Sequence, residues 1–141
     1  MRVLGVDYGE RRMGLAVSDP EGKIASGIGT VQIKGMRNAA EQIIMAVNER
    51  GVGCIVLGYP RNLSGTESPM SERVLKLKLL LEQNLPREIG IELFDERLST
   101  AYAHQLMNIT DTRGRRRKEN IDTLAAQIIL QDYLDRGAHT E

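Results

Sequence analysis

The sequence predicts an α/β domain with a mixed sheet, built as a three-strand antiparallel meander followed by βαβ units and flanked by helices. Two observations carry this. Short apolar runs joined by short polar turns fill the first 33 residues, and such runs read as a meander. Beyond them, apolar residues at helical spacing alternate with continuous apolar runs, which is the signature of buried parallel strands between crossover helices. With 141 residues the chain suits a single domain, 1–141. A chain of this size buries roughly two-thirds of its unfolded surface, so it needs neither disulfides nor a structural metal.

The elements follow in order. Val3 to Asp7 is a short strand ending in Tyr8-Gly9. Met13 to Ser18 follows the polar turn Glu10-Arg11-Arg12, and Ile24 to Ile33 is a third run, rich in glycine and small residues. Asp19 before Pro20 is a turn residue. Arg37 to Arg50 carries Ala40, Ile43, Ile44 and Val47 on one helical face, and Gly51 is a natural stop. Cys54-Ile55-Val56-Leu57 is a buried strand, and Gly58 to Ser68 a polar loop. Ser68-Pro69 reads as an N-cap followed by proline at the first helical position, opening a helix to Gln83. Ile91 to Phe94 is another strand. Ser99 or Thr100 caps a short helix through Met107. Asn108 to Lys118 is a basic loop, and Glu119 to Asp135 a final helix closed by Gly137.

Composition narrows the function classes. Apolar residues are 41% and charged residues 27%, with 19 basic against 19 acidic. Any nucleic-acid surface must then be a local patch. One cysteine, no apolar run near the ~20 residues of a membrane helix, and an N-terminus without a signal-peptide pattern lead to an expected cytoplasmic location. Zinc, Walker and GxSxG motifs are absent. Aromatic residues are 4%, with no Trp. Recognition by broad base stacking is therefore disfavoured against backbone and shape.

Three segments carry the chemistry. Asp7 ends an apolar strand, and the carboxyl ends of parallel strands form the ligand edge of an open α/β sheet. Asp95-Glu96 lies just past the strand Ile91 to Phe94 and opens onto the same edge. Strand alternation turns Asp95 the other way, as an alternate ligand at most. Asp122 falls on the apolar arc of the last helix, between Ile129 and Tyr133. A carboxylate there is costly unless it is paired or binds a metal. Ala125 and Ala126 beside it let the helix approach the sheet, bringing Asp122 toward Asp7. Each acid taken singly reads as a cap or an ion-pair partner. Converging, they repel unless cations neutralise them. Carboxylates, water and substrate phosphates suit Mg²⁺ or Mn²⁺, and two such ions about 4 Å apart support phosphodiester cleavage.

Two segments suggest phosphate contacts. The loop Gly58 to Ser68 offers Arg61, Ser64 and Thr66 ahead of a helix N-terminus. It reads equally as a phosphate-binding loop and as an ordinary capped connection. Arg113, Arg115, Arg116, Arg117 and Lys118 put five basic residues in six. Such a run is ordinarily a solvated loop. Its place immediately before the Asp122 helix favours a grip on a nucleic-acid backbone, with strong salt dependence. Arg11, Arg12 and Arg97 extend the patch.

Four motifs in this order resemble the YqgF family of RNase H-like proteins, pre-16S rRNA nucleases also described as Holliday junction resolvases. They are LGVDYGERRMGLAVSD at 4–19, IVLGYPRNLSGTES at 55–68, FDERLSTAYA at 94–103 and RRRKENIDTLAAQIILQDYLD at 115–135. The resemblance covers nearly the whole chain. It implies an RNase H-like fold and a nuclease whose catalytic, metal-holding acids are Asp7, Glu96 and Asp122. The substrate it implies is structured RNA, with maturation of the 5′ end of pre-16S rRNA weighted first. A four-way DNA junction is the nearest alternative. A resolvase cuts two symmetric strands and so acts as a dimer, and no dimer interface is legible in the sequence. A non-catalytic ribosome-assembly factor on the same fold is a further alternative, against which the intact acid trio argues. The Asp-x-Gly turn also occurs in actin-like sugar kinases, but those need two such domains around a nucleotide.

Overall fold

The computed structural model describes residues 1–98 and 115–137, with side chains described through 97 and from 123 to 136. The expected short helix from Ser99 or Thr100 to Met107, and the segment 108–114 with Arg113, lie outside the described residues.

Five strands form one sheet in the order β3-β2-β1-β4-β5. β1 (Arg2–Tyr8), β2 (Arg12–Ser18) and β3 (Ala25–Gln32) are the antiparallel meander. β4 (Val52–Tyr59) lies parallel to β1, and β5 (Gly90–Asp95) parallel to β4. α1 (Met36–Arg50) and α2 (Pro69–Asn84) are the crossover helices. A 3-10 turn, Glu96–Leu98, follows β5, and α3 (Arg115–Gly137) completes the described chain.

Strand alternation sorts two cores. Leu4, Val6 and Tyr8 of β1, with Ile55, Leu57 and Tyr59 of β4, pack against Ile43 and Val47 of α1 and Leu77 and Leu81 of α2. Val3, Cys54, Val56 and Phe94 face the other way, onto Ala125, Ala126, Ile129 and Leu130 of α3. The sheet is thus sandwiched between α1–α2 and α3, and burial on both faces explains the continuous apolar runs.

Local chemistry ends the elements where expected. Gly51 closes α1 at φ +64, donating its N–H to the Val47 carbonyl, a left-handed cap that suits glycine. Ser68 and Ser71 exchange hydrogen bonds in a capping box at the start of α2. The Asp19 carboxylate accepts from the N–H groups of Lys23 and Ile24 at 2.7 and 2.8 Å. Gly9 donates to the Arg12 carbonyl at 2.9 Å in a tight turn.

Two boundaries differ from expectation. β4 runs on through Gly58 and Tyr59, which read as the start of a loop. The last helix begins at Arg115 instead of Glu119, so Arg115, Arg116, Arg117 and Lys118 form a first helical turn. Arginine and lysine are good helix formers, and a run of charge marks solvation more than it marks a loop.

α3 lies close to the sheet. A methyl at Gly5 would stand 2.7 Å from Leu130 Cβ and 3.2 Å from the Ala126 carbonyl oxygen, and one at Gly27 would stand 2.7 Å from Thr123 Cγ2. Polar contacts fix the helix along β3. Thr123 Oγ1 and Thr30 Oγ1 are 2.6 Å apart. Gln131 takes the Ala25 N–H at 2.8 Å and donates to the Lys23 carbonyl at 2.9 Å.

Candidate active site

The carboxyl ends of β1, β4 and β5 lie side by side, because all three run parallel. Val6 pairs with Leu57, so Asp7 and Gly58 each follow directly on the last paired residues of β1 and β4. Val3 belongs to the α3 core and a methyl at Gly5 would meet α3, so alternation turns Asp7 toward that face as well. Asp7 is half-buried.

Glu96 arrives from the far side of β4. It is 4% exposed, and its carboxyl group packs over Gly58. A methyl on that glycine would stand 3.3 Å from Glu96 Cδ and 3.0 Å from Ile129 Cδ1. The missing side chain at Gly58 makes room for the carboxylate under α3. Burial, with the Asp95 charge adding, pushes the Glu96 carboxyl up to about 7. No hydrogen bond from the described residues supports its ionised form. A buried carboxylate with no donor among the described residues, at the sheet edge that also carries Asp7, has the chemistry of a ligand for a hard divalent cation.

Asp122 lies on α3, seven residues before Ile129. Its side chain is outside the described residues, as are those of Arg115 to Lys118. The described residues therefore bring Asp7 and Glu96 to one edge of the sheet.

Asp95, the alternate ligand of the sequence reading, is engaged elsewhere. It turns to the opposite face and takes Arg61 Nη2 at 2.6 Å, Arg97 Nη2 at 2.6 Å and the Arg97 N–H at 3.0 Å. Arg97, then Arg61, hold its carboxyl below the usual carboxylate range against the opposing effect of burial. Two of the expected nucleic-acid contacts, Arg61 and Arg97, are thus ion-paired while still 31% and 28% exposed. Ser64 Oγ and Thr66 Oγ1 are 3.0 Å apart, and Asn62 donates to Thr66 Oγ1 at 3.0 Å. The connection from Pro60 to the Ser68 cap is therefore held together by its own side chains and tied to the end of β5 through Asp95. The sequence reading missed this linkage because Arg61 and Asp95 are 34 residues apart. Its one available signal was the alternation that turned Asp95 away from Glu96.

The sheet order and the flanking helices are those of an RNase H-like fold. Comparison with known proteins gives the family. The model described as "RuvX: Holliday junction resolvase" matches residues 1–136, and the chain belongs to this family, RuvX or YqgF. A relative from Clostridium tetani named "Putative pre-16S rRNA nuclease" is 42% identical over 135 residues, covering 96% of each chain. A relative of the same name from Ruminiclostridium cellulolyticum is 39% identical over 140 residues, covering 98% of this chain and 96% of its own. Among solved structures, Thermus thermophilus RuvC in complex with a Holliday junction substrate superposes with TM-score 0.56 at 13% identity, covering 99% of this chain and 98% of that one. The fowlpox virus Holliday junction resolvase gives 0.54 at 12%, covering 96% and 99%. At these identities the likeness is one of fold. By family the protein is a hydrolase of the nuclease class, a class of fold that works with divalent metal. No helix among the described residues is long and apolar enough to cross a membrane.

Proposed function

We propose that the protein is a cytoplasmic, Mg²⁺- or Mn²⁺-dependent nuclease that processes the 5′ end of pre-16S rRNA in ribosome biogenesis. The observation that supports it most is Glu96, a buried carboxylate without a described donor, packed over Gly58 at the sheet edge to which β1 brings Asp7, its last residue but one. In this reading Asp7, Glu96 and Asp122 hold the metal. Divalent cations bound there supply water activation and stabilisation of the leaving oxygen.

The remaining residues position the substrate. The enclosing faces of α3 and Ile129 keep Glu96 out of bulk water, which strengthens its attraction for a cation. In this reading Arg61, Ser64, Thr66 and Arg97, with Arg113, Arg115, Arg116, Arg117 and Lys118, hold the phosphate backbone of the substrate. A chain with no net charge must hold a polyanion through this local patch, so binding weakens steeply with salt.

A four-way DNA junction is the second reading, favoured by the description of the family and by the likeness to a junction-bound resolvase. One assay separates the two. Purified protein with Mn²⁺ is offered a 5′-extended small-subunit rRNA fragment and a four-way DNA junction, with Asp7→Asn alongside. The expected result is RNA cleavage that the variant loses while still binding RNA. Cleavage of the junction alone would transfer the assignment to the resolvase reading. Full turnover by Asp7→Asn would remove Asp7 from the site.

A further inference from the structure

We propose that Asp95 is a positioning residue for the substrate: it straps the loop 60–67 to the end of β5 and so fixes Arg61 and Arg97 at the strand end from which Glu96 follows. The inference rests on the nuclease reading above.

Two guanidinium groups converge on one carboxylate. Arg61 Nη2 and Arg97 Nη2 each lie 2.6 Å from Asp95 Oδ2, and Arg97 Nε lies 3.0 Å from both carboxylate oxygens. Both arginines then reach across to the loop backbone. Arg61 Nη1 donates to the Gly65 carbonyl at 3.4 Å, and Arg97 Nη1 to the Leu63 carbonyl at 3.3 Å. Gly65 has φ +90, and a methyl on it would stand 3.2 Å from Arg97 Nη1. Loop backbone and guanidinium are therefore in direct contact. From the other end, the Tyr59 hydroxyl donates to Glu67, and Arg61 lies over the Tyr59 ring at 5.3 Å. The loop is closed on both sides.

The charges make the arrangement informative. Two guanidinium groups share the Asp95 carboxylate, with Glu67 close enough to Arg61 to feel its charge, and both arginine side chains remain partly exposed. A forked guanidinium held this way is pre-ordered for a phosphate oxygen. The strap is not optimised for stability alone, because Arg61 Nε is buried with no partner among the described residues, which is unfavourable. On charge alone Asp95 opposes a polyanion. Its removal should then tighten RNA binding, whereas loss of a strap should weaken it. The two explanations differ in sign.

The test is steady-state cleavage of the 5′-extended rRNA fragment by Asp95→Asn and by Arg97→Lys, with Mn²⁺ titrated for each. Arg97→Lys keeps the charge and loses the fork, so it carries the test if Asp95→Asn fails to fold. Both should raise KM for RNA about tenfold, with kcat and the Mn²⁺ half-saturation within about twofold and faster amide exchange at 62–66. An unchanged or lowered KM in a folded variant would overturn the proposal. So would a shifted Mn²⁺ half-saturation, which would make Asp95 a metal ligand after all. Failure of the nuclease reading shows separately, as wild-type turnover that Asp7→Asn leaves untouched.

Discussion

Glu96 is a carboxylate whose burial opposes its own charge. Its carboxyl titrates near 7 in the fold against 4.5 in the unfolded chain. Between those values the folded protein holds a proton that the unfolded protein has released, so stability falls as pH rises through the window. Above it the penalty reaches on the order of 3 kcal/mol. Urea unfolding of the metal-free protein should show the wild type losing stability relative to Glu96→Gln from pH 4.5 to about 7. Saturating Mn²⁺ should return most of the loss, since a ligand bound only by the folded state stabilises it. A difference between the two proteins that does not vary with pH would contradict a buried ionising group here. Gly58 belongs to the same account. It read as the start of a loop because glycine punctuates strands, yet it lies inside β4, where its missing side chain houses the Glu96 carboxyl. Nothing in the local pattern signals that, because the neighbour it accommodates is 38 residues away.

At the scale of elements, α3 sets the geometry of the site. Its small residues face small residues of the sheet: Ala125, Ala126, Gly5 and Ala16 lie at the contact. Gly5→Ala places a methyl 2.7 Å from Leu130 Cβ and against the Ala126 carbonyl, so the helix must move outward. The expected cost is about 1–3 kcal/mol, read by urea unfolding, together with weaker Mn²⁺ binding because Asp122 rides on the same helix. Unchanged stability would mean the helix accommodates the methyl without lifting. The paired alanines and the apolar arc made this helix and its packed face legible in the sequence. Its start was not legible, because basic residues suit a loop and a helical first turn alike. The meander, α1 with its Gly51 stop and the Ser68 cap of α2 were legible because short-range chemistry determines each. The strap at Asp95 joins residues from β4, its loop and β5, and only the register of Tyr59 against Asp95 brings them together.

For the whole molecule, the parallel order β1-β4-β5 places three strand ends in a row, and α3 covers them from one face. A nuclease needs acids from distant parts of its chain at one point, and this topology delivers Asp7 and Glu96 to the same edge of the sheet. The strand ends that carry Asp7 and Glu96 were readable from the apolar runs, while the burial of Glu96 and the room that Gly58 makes for it were not. The most direct test is the single-turnover cleavage rate of the RNA fragment as a function of Mn²⁺, for the wild type and for Asp7→Asn, Glu96→Gln and Asp122→Asn. A shared metal site requires wild-type cleavage to rise and saturate with Mn²⁺, and each folded variant to lose at least about a hundredfold at every concentration. Wild-type rates in any one of the three, or cleavage indifferent to Mn²⁺, would contradict it.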